Sequence, residues 1–248
     1  MVRVLALGDP HGKLPVGLTK IIKKNKIELI ICVGDIAYAP EKPWLDESWK
    51  GMKEDYPEKT YKRIVDKICS YGLPVLTLRG NMFMRGEYKQ VADKIFEPHK
   101  NLINKFTGFH EIVREKFVFF DVLWEKSGTR KKTITKAAKE RNERRKKKLS
   151  RILKKGDVLI SHNPPYGCCD FANNEFTKYK NKHVGSKIVR DAIKKKKPKL
   201  VLCGHIHEGK SKGRIGKTVV INCGERGDYV VLDISEKVRI VESNFLKK

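Results

Sequence analysis

Five short apolar runs punctuate the chain, at 2–7 (VRVLAL), 28–33 (ELIICV), 74–79 (PVLTLR), 157–161 (DVLIS) and 199–203 (KLVLC). Each is continuous and rich in Val, Ile and Leu instead of alternating, as expected of a strand buried on both faces of a parallel sheet. Between the runs, apolar positions recur at helical spacing. Residues 16–26 place Leu18, Ile21 and Ile22 on one face, and 58–72 do the same with Tyr61, Ile64, Val65 and Ile68, ending on Gly72. Segments 87–96 and 185–197 repeat the pattern, the latter with Ser186 as N-cap. Strands alternating with helices predict parallel pairing. Two regions read as antiparallel: 110–124 as strand, turn and strand, and 217–243 as three strands with tight connections. The pattern therefore predicts an α/β core with a second, partly antiparallel sheet.

Each apolar run stops at a glycine or a histidine followed by polar residues. The five turns read GDPHG, GDIA, GNMF, HNPP and GHIH, and they carry Asp9, His11, Asp35, Asn81, His162, His205 and His207. Parallel α/β sheets bind their ligands beyond the carboxyl ends of the strands, so these seven residues are expected at one edge. Four of the seven histidines of the chain are among them. Carboxylate and imidazole donors suit first-row metals. Seven donors exceed the needs of one tetrahedral ion and fit two ions sharing a carboxylate, which can clamp a phosphoryl oxygen. The glycines let the backbone turn and approach the ions. Strand alternation would point Asp9 and His11 to the same side.

Singly, each residue has a plainer explanation. Asp9 could cap a helix, Gly34-Asp35 could be a turn and His162 could end a strand. Their joint occurrence in order, each after a buried-type strand, favours a metal site.

With 248 residues the chain fits one large domain, and 40% hydrophobic residues is ordinary for a globular protein. No stretch is long enough to span a bilayer, and MVRVLAL is too short for a signal peptide. Cys32, Cys69, Cys168, Cys169, Cys203 and Cys223 form no zinc spacing, and several sit within apolar runs as packing thiols. A cytoplasmic, reducing setting is expected.

The combined pattern resembles the calcineurin-like metallophosphoesterase superfamily, whose order is D-x-H, GD, GN, H and GHxH, over residues 8–207. The resemblance implies a four-layer αββα sandwich of two mixed β-sheets with flanking helices, spanning 1–248 as a single domain. It implies that Asp9, His11 and His207 bind one metal, that Asn81, His162 and His205 bind the other, and that Asp35 bridges them. Asp35, Asn81 and His162 then form the catalytic set around a metal-bridging hydroxide that attacks phosphorus in line. Two divalent ions are implied, Mn²⁺ first, with Fe, Zn or Ni as alternatives. The implied substrate is a phosphate mono- or diester of nucleotide type. One position departs: many members follow the asparagine with a histidine that protonates the leaving group, and here Met82 follows Asn81. Methionine cannot donate a proton, so poor leaving groups should suffer unless another residue supplies one.

Other candidates are less specific. His183 and Ser186 sit where a loop meets a helix N-terminus, a geometry suited to a substrate anion and equally to plain capping. Asn81 joins them as a substrate contact. Arg85 could touch phosphate or lie in solvent, and His99 and His110 have no motif around them. Residues 126–155 hold 15 Lys/Arg against 2 Glu, and so carry half of the chain's net charge of +26. A solvated lysine-rich helix is one explanation. Contact with nucleic acid is the other, without base stacking because the segment has no aromatic residue. Two rivals to a small-molecule phosphoesterase follow: a nuclease using the basic segment, and a metal-binding scaffold with little turnover.

Overall fold

The computed structural model describes residues 1–40, 50–51, 53, 55–81, 87–121, 136–173 and 181–246. Met82 and Arg85, and residues 126–135 of the basic segment, lie outside the described residues. In chain order the elements are β1 (Val2–Leu7), α1 (Leu18–Asn25), β2 (Leu29–Cys32), α2 (Tyr56–Cys69), β3 (Val75–Thr77), α3 (Glu87–Phe96), β4 (Leu102–Asn104), β5 (Thr107–Ile112) and β6 (Glu115–Phe120). They continue with α4 (Lys136–Ile152), β7 (Val158–Ser161), β8 (Phe171–Ala172), β9 (Lys182–His183), α5 (Lys187–Lys196), β10 (Leu200–Cys203), β11 (Ser211–Ile215), β12 (Thr218–Asn222), β13 (Tyr229–Ile234) and β14 (Val238–Ser243).

Two six-stranded mixed sheets result, ordered β14-β13-β1-β2-β3-β4 and β11-β12-β10-β7-β6-β5, with β8-β9 as a separate small hairpin. The continuous apolar runs are explained by alternation between two cores. Val2, Val4 and Ala6 of β1 pack between the sheets, while Leu5 and Leu7 face the helices. Phe117 and Phe119 of β6 join the inter-sheet core, and Val118 and Phe120 face the other way. Leu18 and Ile21 of α1, Tyr61 and Ile64 of α2, and Ala92 of α3 cover the first sheet. Leu149 of α4 and Ile188, Val189 and Ile193 of α5 cover the second. The layers are therefore helix, sheet, sheet, helix, as expected.

The C-terminal strands depart from the sequence expectation. They do not form one meander. β12 lies in the second sheet, parallel to β10 and antiparallel to β11, whereas β13 crosses to pair antiparallel with β1. The connection 223–228 thus links the two sheets, and local alternation does not encode which sheet a strand enters. Helix α2 also stops at Cys69, before Gly72, which follows in a left-handed turn with its N–H bonded to the Cys69 carbonyl. The strand pair expected at 110–124 runs earlier, at 107–120. No described helix is long and apolar enough to cross a membrane.

Inter-sheet packing should dominate stability. Phe119 is fully buried there, and Phe119→Ala should cost about 3–5 kcal/mol in denaturant unfolding. Val16 is fully exposed, and Val16→Ala should stay within about 0.5 kcal/mol.

Candidate metal centre

β1, β2 and β3 run parallel in one sheet, and β7 and β10 run parallel in the other. Their carboxyl ends meet, and the residues that follow form one cluster. Hydrogen bonds join the sheets here: the His205 N–H donates to Asp9 Oδ2 at 2.6 Å, and the Asp9 N–H donates to the Gly224 carbonyl at 2.9 Å.

The pleat is not what aligns Asp9 with His11. β1 ends at Leu7, and His11 reaches the cluster through a left-handed backbone with φ 43°. Asp35 (φ 37°) and His205 (φ 66°) do the same. Positive φ in a residue with a Cβ is uncommon and costs strain, which packed surroundings must hold. The flanking glycines have a definite reason. A Cβ on Gly34, at φ 135°, would sit 2.5 Å from His162 Nδ1, and one on Gly204 would sit 2.6 Å from Asp9 Oδ1. Each leaves room for a functional side chain.

Two sets of donor atoms result, Asp9 with His11 and His207, and Asp35 with His162 and His205; within each set the atoms lie within 4.8 Å of one another. His162 stands between them, with Nδ1 3.6 Å from Asp9 Oδ1 and Nε2 3.4 Å from Asp35 Oδ2. Asn81 joins the second set, its Oδ1 3.0 Å from His162 Nε2. Thus all seven residues singled out from the motifs come together at the strand ends.

Electrostatics couple the sets. Asp9 and Asp35 are buried, which opposes their ionisation, yet the surrounding histidines together outweigh this, His162 and His207 at Asp9 and His162, His11 and His205 at Asp35, and hold both below the usual carboxylate range. Burial likewise opposes protonation of His162, but Asp35 and Asp9 push it up to about 10. His207 also reaches about 10 against burial, through its hydrogen bonds to Asp9 and Glu225. His205, buried and next to the His162 cation, drops to about 3. His11 is lowered by burial.

The residues fit a pair of cations. Asp9 Oδ1 is buried without a hydrogen-bond partner among the described residues, a costly arrangement for a carboxylate oxygen unless an ion meets it. The donor set is nitrogen and oxygen. The His162 Nδ1–H donates to the Val33 carbonyl at 3.1 Å, which turns Nε2 toward Asn81 and Asp35.

Two carboxylates were missed in the sequence. Glu225 follows β12, and its Oε2 lies 3.1 Å from His207 Nδ1, opposite the Nε2 that meets Asp9. The signal was present: VVINCGE repeats the apolar-run, Gly, acid pattern of IICVGD. Asp121 follows β6, and its buried Oδ2 accepts the N–H groups of Arg79 (3.0 Å) and Gly80 (3.3 Å), fixing the turn before Asn81. Burial raises it to about 7.

His183 is half-exposed, its Nδ1 2.6 Å from the buried Asp170. Ser186 is buried and caps α5, accepting the Val189 N–H at 3.1 Å. His99 pairs with Asp66, and His110 lies in β5. Cys168 and Cys169 pack with the second sheet.

A family model described as metallophosphoesterase, calcineurin superfamily, matches residues 1–244. An uncharacterized protein of Methanocaldococcus jannaschii is 25% identical over 248 residues, covering 97% of this chain and 96% of its own. Among solved structures, TT1561 of Thermus thermophilus aligns with a TM-score of 0.57 at 17% identity, covering 97% of this chain and 98% of its own. A phosphopantetheinyl hydrolase from Mycobacterium tuberculosis gives a TM-score of 0.54 at 12% identity, with 90% and 89% covered. The purple acid phosphatase PPD1 of yellow lupin gives 0.55 at 14% identity, with 93% of this chain and 49% of that one covered. These structural likenesses bear on the fold.

Metal binding should displace protons. His162 and His207 are protonated near neutrality without metal, and ligands must be neutral. Calorimetry in buffers of differing ionisation enthalpy should therefore register release of about two protons per chain when Mn²⁺ loads at pH 7.5. Glu225→Gln should weaken Mn²⁺ binding by about 10–100-fold, as loss of an orienting carboxylate does.

Proposed function

Because the chain belongs to the metallophosphoesterases of the calcineurin superfamily, we propose that it hydrolyses nucleotide-like phosphate mono- or diesters with two divalent ions, Mn²⁺ first. That it is a hydrolase of phosphoester bonds follows from the family. The substrate class and the two-ion mechanism are our inference. The observation that carries the two-ion mechanism is the pair of donor sets that meet where His162, of the second set, lies beside Asp9 of the first; the substrate class extends the sequence resemblance.

In this reading Asp9, His11 and His207 would hold one ion, Asn81, His162 and His205 the other, and Asp35 would be common to both. When bound, such a pair acidifies water and draws charge from a phosphoryl oxygen. The rest falls to the chain. Glu225 keeps His207 aimed through Nδ1. Val33 and Ala37 carbonyls face His162 and His11, at 3.1 and 3.4 Å, and orient their rings. Asp121 fixes the turn that presents the Asn81 amide, a neutral donor for a phosphoryl oxygen. His183 and the α5 N-terminus behind Ser186 complete the proposed substrate contacts. The whole chain acts as one domain in a cytoplasmic setting, where its free cysteines stay reduced.

A panel of nitrophenyl esters, nucleotides and oligonucleotides with Mn²⁺ tests this. We expect turnover that Asp35→Ala reduces by more than the roughly 10–100-fold loss expected of Glu225→Gln. No turnover by the Mn²⁺-loaded chain would contradict the reading.

One observation favours a second substrate class. Nine basic and two acidic residues lie along α4, and five basic against one acidic along α5. The two helices pack side by side, with Lys146 Nζ 3.8 Å from Asp191 of α5. Such a face suits a nucleic-acid backbone. Binding should then weaken with salt, with a log–log slope of about −0.9 per phosphate contact on duplex DNA and about −0.7 on single strands. Replacing Arg144, Arg145, Lys146, Lys147 and Lys148 with Gln should flatten that slope by several units for every sequence. An unchanged slope would remove the nuclease reading.

A further inference from the structure

The small hairpin β8-β9 carries a histidine that the metal centre does not use. Phe171 pairs with His183 and Ala172 with Lys182. Two bolts hold this hairpin to the centre, one on each ligand loop. On the His207 side, β8 packs on the 3-10 turn His207–Gly209, and Asn222 Nδ2 donates both to the Cys169 carbonyl (3.0 Å) and to the Ile206 carbonyl (2.8 Å). On the His162 side, the Ser186 N–H donates to the Pro164 carbonyl at 2.7 Å, and the Tyr166 N–H donates to the Ser186 carbonyl at 3.0 Å. His183 is thus carried between the loops that supply a ligand to each donor set.

Its imidazole is held in one orientation. Asp170 is fully buried; its Oδ2 accepts the N–H groups of Gly167 (2.9 Å) and Gly185 (2.8 Å), and its Oδ1 accepts from His183 Nδ1 at 2.6 Å. The rings of Tyr166 and Phe171 meet the imidazole edge-on, with centroids 6.0 and 5.4 Å away. Nε2 has no partner among the described residues, and the side chain is 46% exposed. A buried carboxylate fixing one nitrogen while the other faces outward is the arrangement by which a histidine is aimed for proton transfer. The chain needs such a group, because Met82 follows Asn81 where a donor histidine is expected.

We propose that His183 is the catalytic residue that protonates the leaving oxygen of the ester, positioned by Asp170. As the bond between phosphorus and the leaving oxygen breaks, its electron pair stays on that oxygen, which takes the proton from Nε2 of the imidazolium. The ring is left neutral, with its Nδ1–H on Asp170, and takes a proton from water before the next turnover. Alcohols of high pKa need this proton, and nitrophenols much less.

The inference rests on the phosphoesterase reading, and the test separates the two. The Mn²⁺-loaded chain is given phosphodiesters of one scaffold whose leaving alcohol runs from nitrophenol to ethanol. The wild type should show a shallow dependence of kcat on leaving-group acidity. His183→Ala should steepen it, losing about 10²–10⁴-fold on the ethyl ester and progressively less toward nitrophenol. Added imidazole should restore part of the ethyl-ester rate. Asp170→Asn should shift the dependence in the same direction, and its Mn²⁺ content and thermal midpoint report whether it folds. A parallel rise in KM on every ester, with the dependence unchanged in His183→Ala, would overturn the proposal and leave the phosphoesterase intact. No hydrolysis of any ester by the wild type would overturn both.

Discussion

The constraint on which the rest depends is the burial of two carboxylates, Asp9 and Asp35, where the strand ends of two sheets meet. An ionised carboxylate without water is tolerated only when cations or donors surround it. His162 stands between them with one ring nitrogen toward each, and His207 flanks Asp9. The arrangement suits ions that would replace those protons. The parallel strands, the glycines that make room and the left-handed backbone at His11, Asp35 and His205 all bring charge to that point.

The cost is spread over the molecule. At the centre, His11, Asp35 and His205 keep positive φ where the strands they follow pack into the inter-sheet core. Outer carboxylates do the aiming: Glu225 for His207, Asp121 for the turn before Asn81, and Asp170 for His183. All three follow an apolar strand or sit in a tight loop, so that backbone N–H groups or imidazoles satisfy them. The fold therefore supplies both a rigid floor and the orientation of the groups on it.

Much of this was legible in the sequence. The five continuous apolar runs are strands because each residue in them faces one core or the other, as β1 illustrates. The seven polar residues at their ends came together because parallel strands share an end. The legible part stops where chain pairing is non-local. Nothing in TVVIN says that β12 joins the second sheet while YVVLDI crosses to the first, and with that error Glu225 was hidden at what looked like a hairpin. Asp121 was hidden for a related reason, since 110–124 read as one antiparallel unit and the parallel partner of β6, strand β7, lies beyond α4 in the chain. The alignment of Asp9 with His11 was anticipated, but through the pleat instead of the left-handed turn that produces it.

We propose that the two donor sets form one binuclear site with Asp35 common to both ions. Anomalous diffraction from crystals grown with Mn²⁺ tests it most directly. Two peaks about 3.5–4 Å apart are expected, one beside Asp9, His11 and His207, the other beside Asn81, His162 and His205, with a carboxylate oxygen of Asp35 reaching both. A single peak, or two peaks with Asp35 turned away from either, would contradict it.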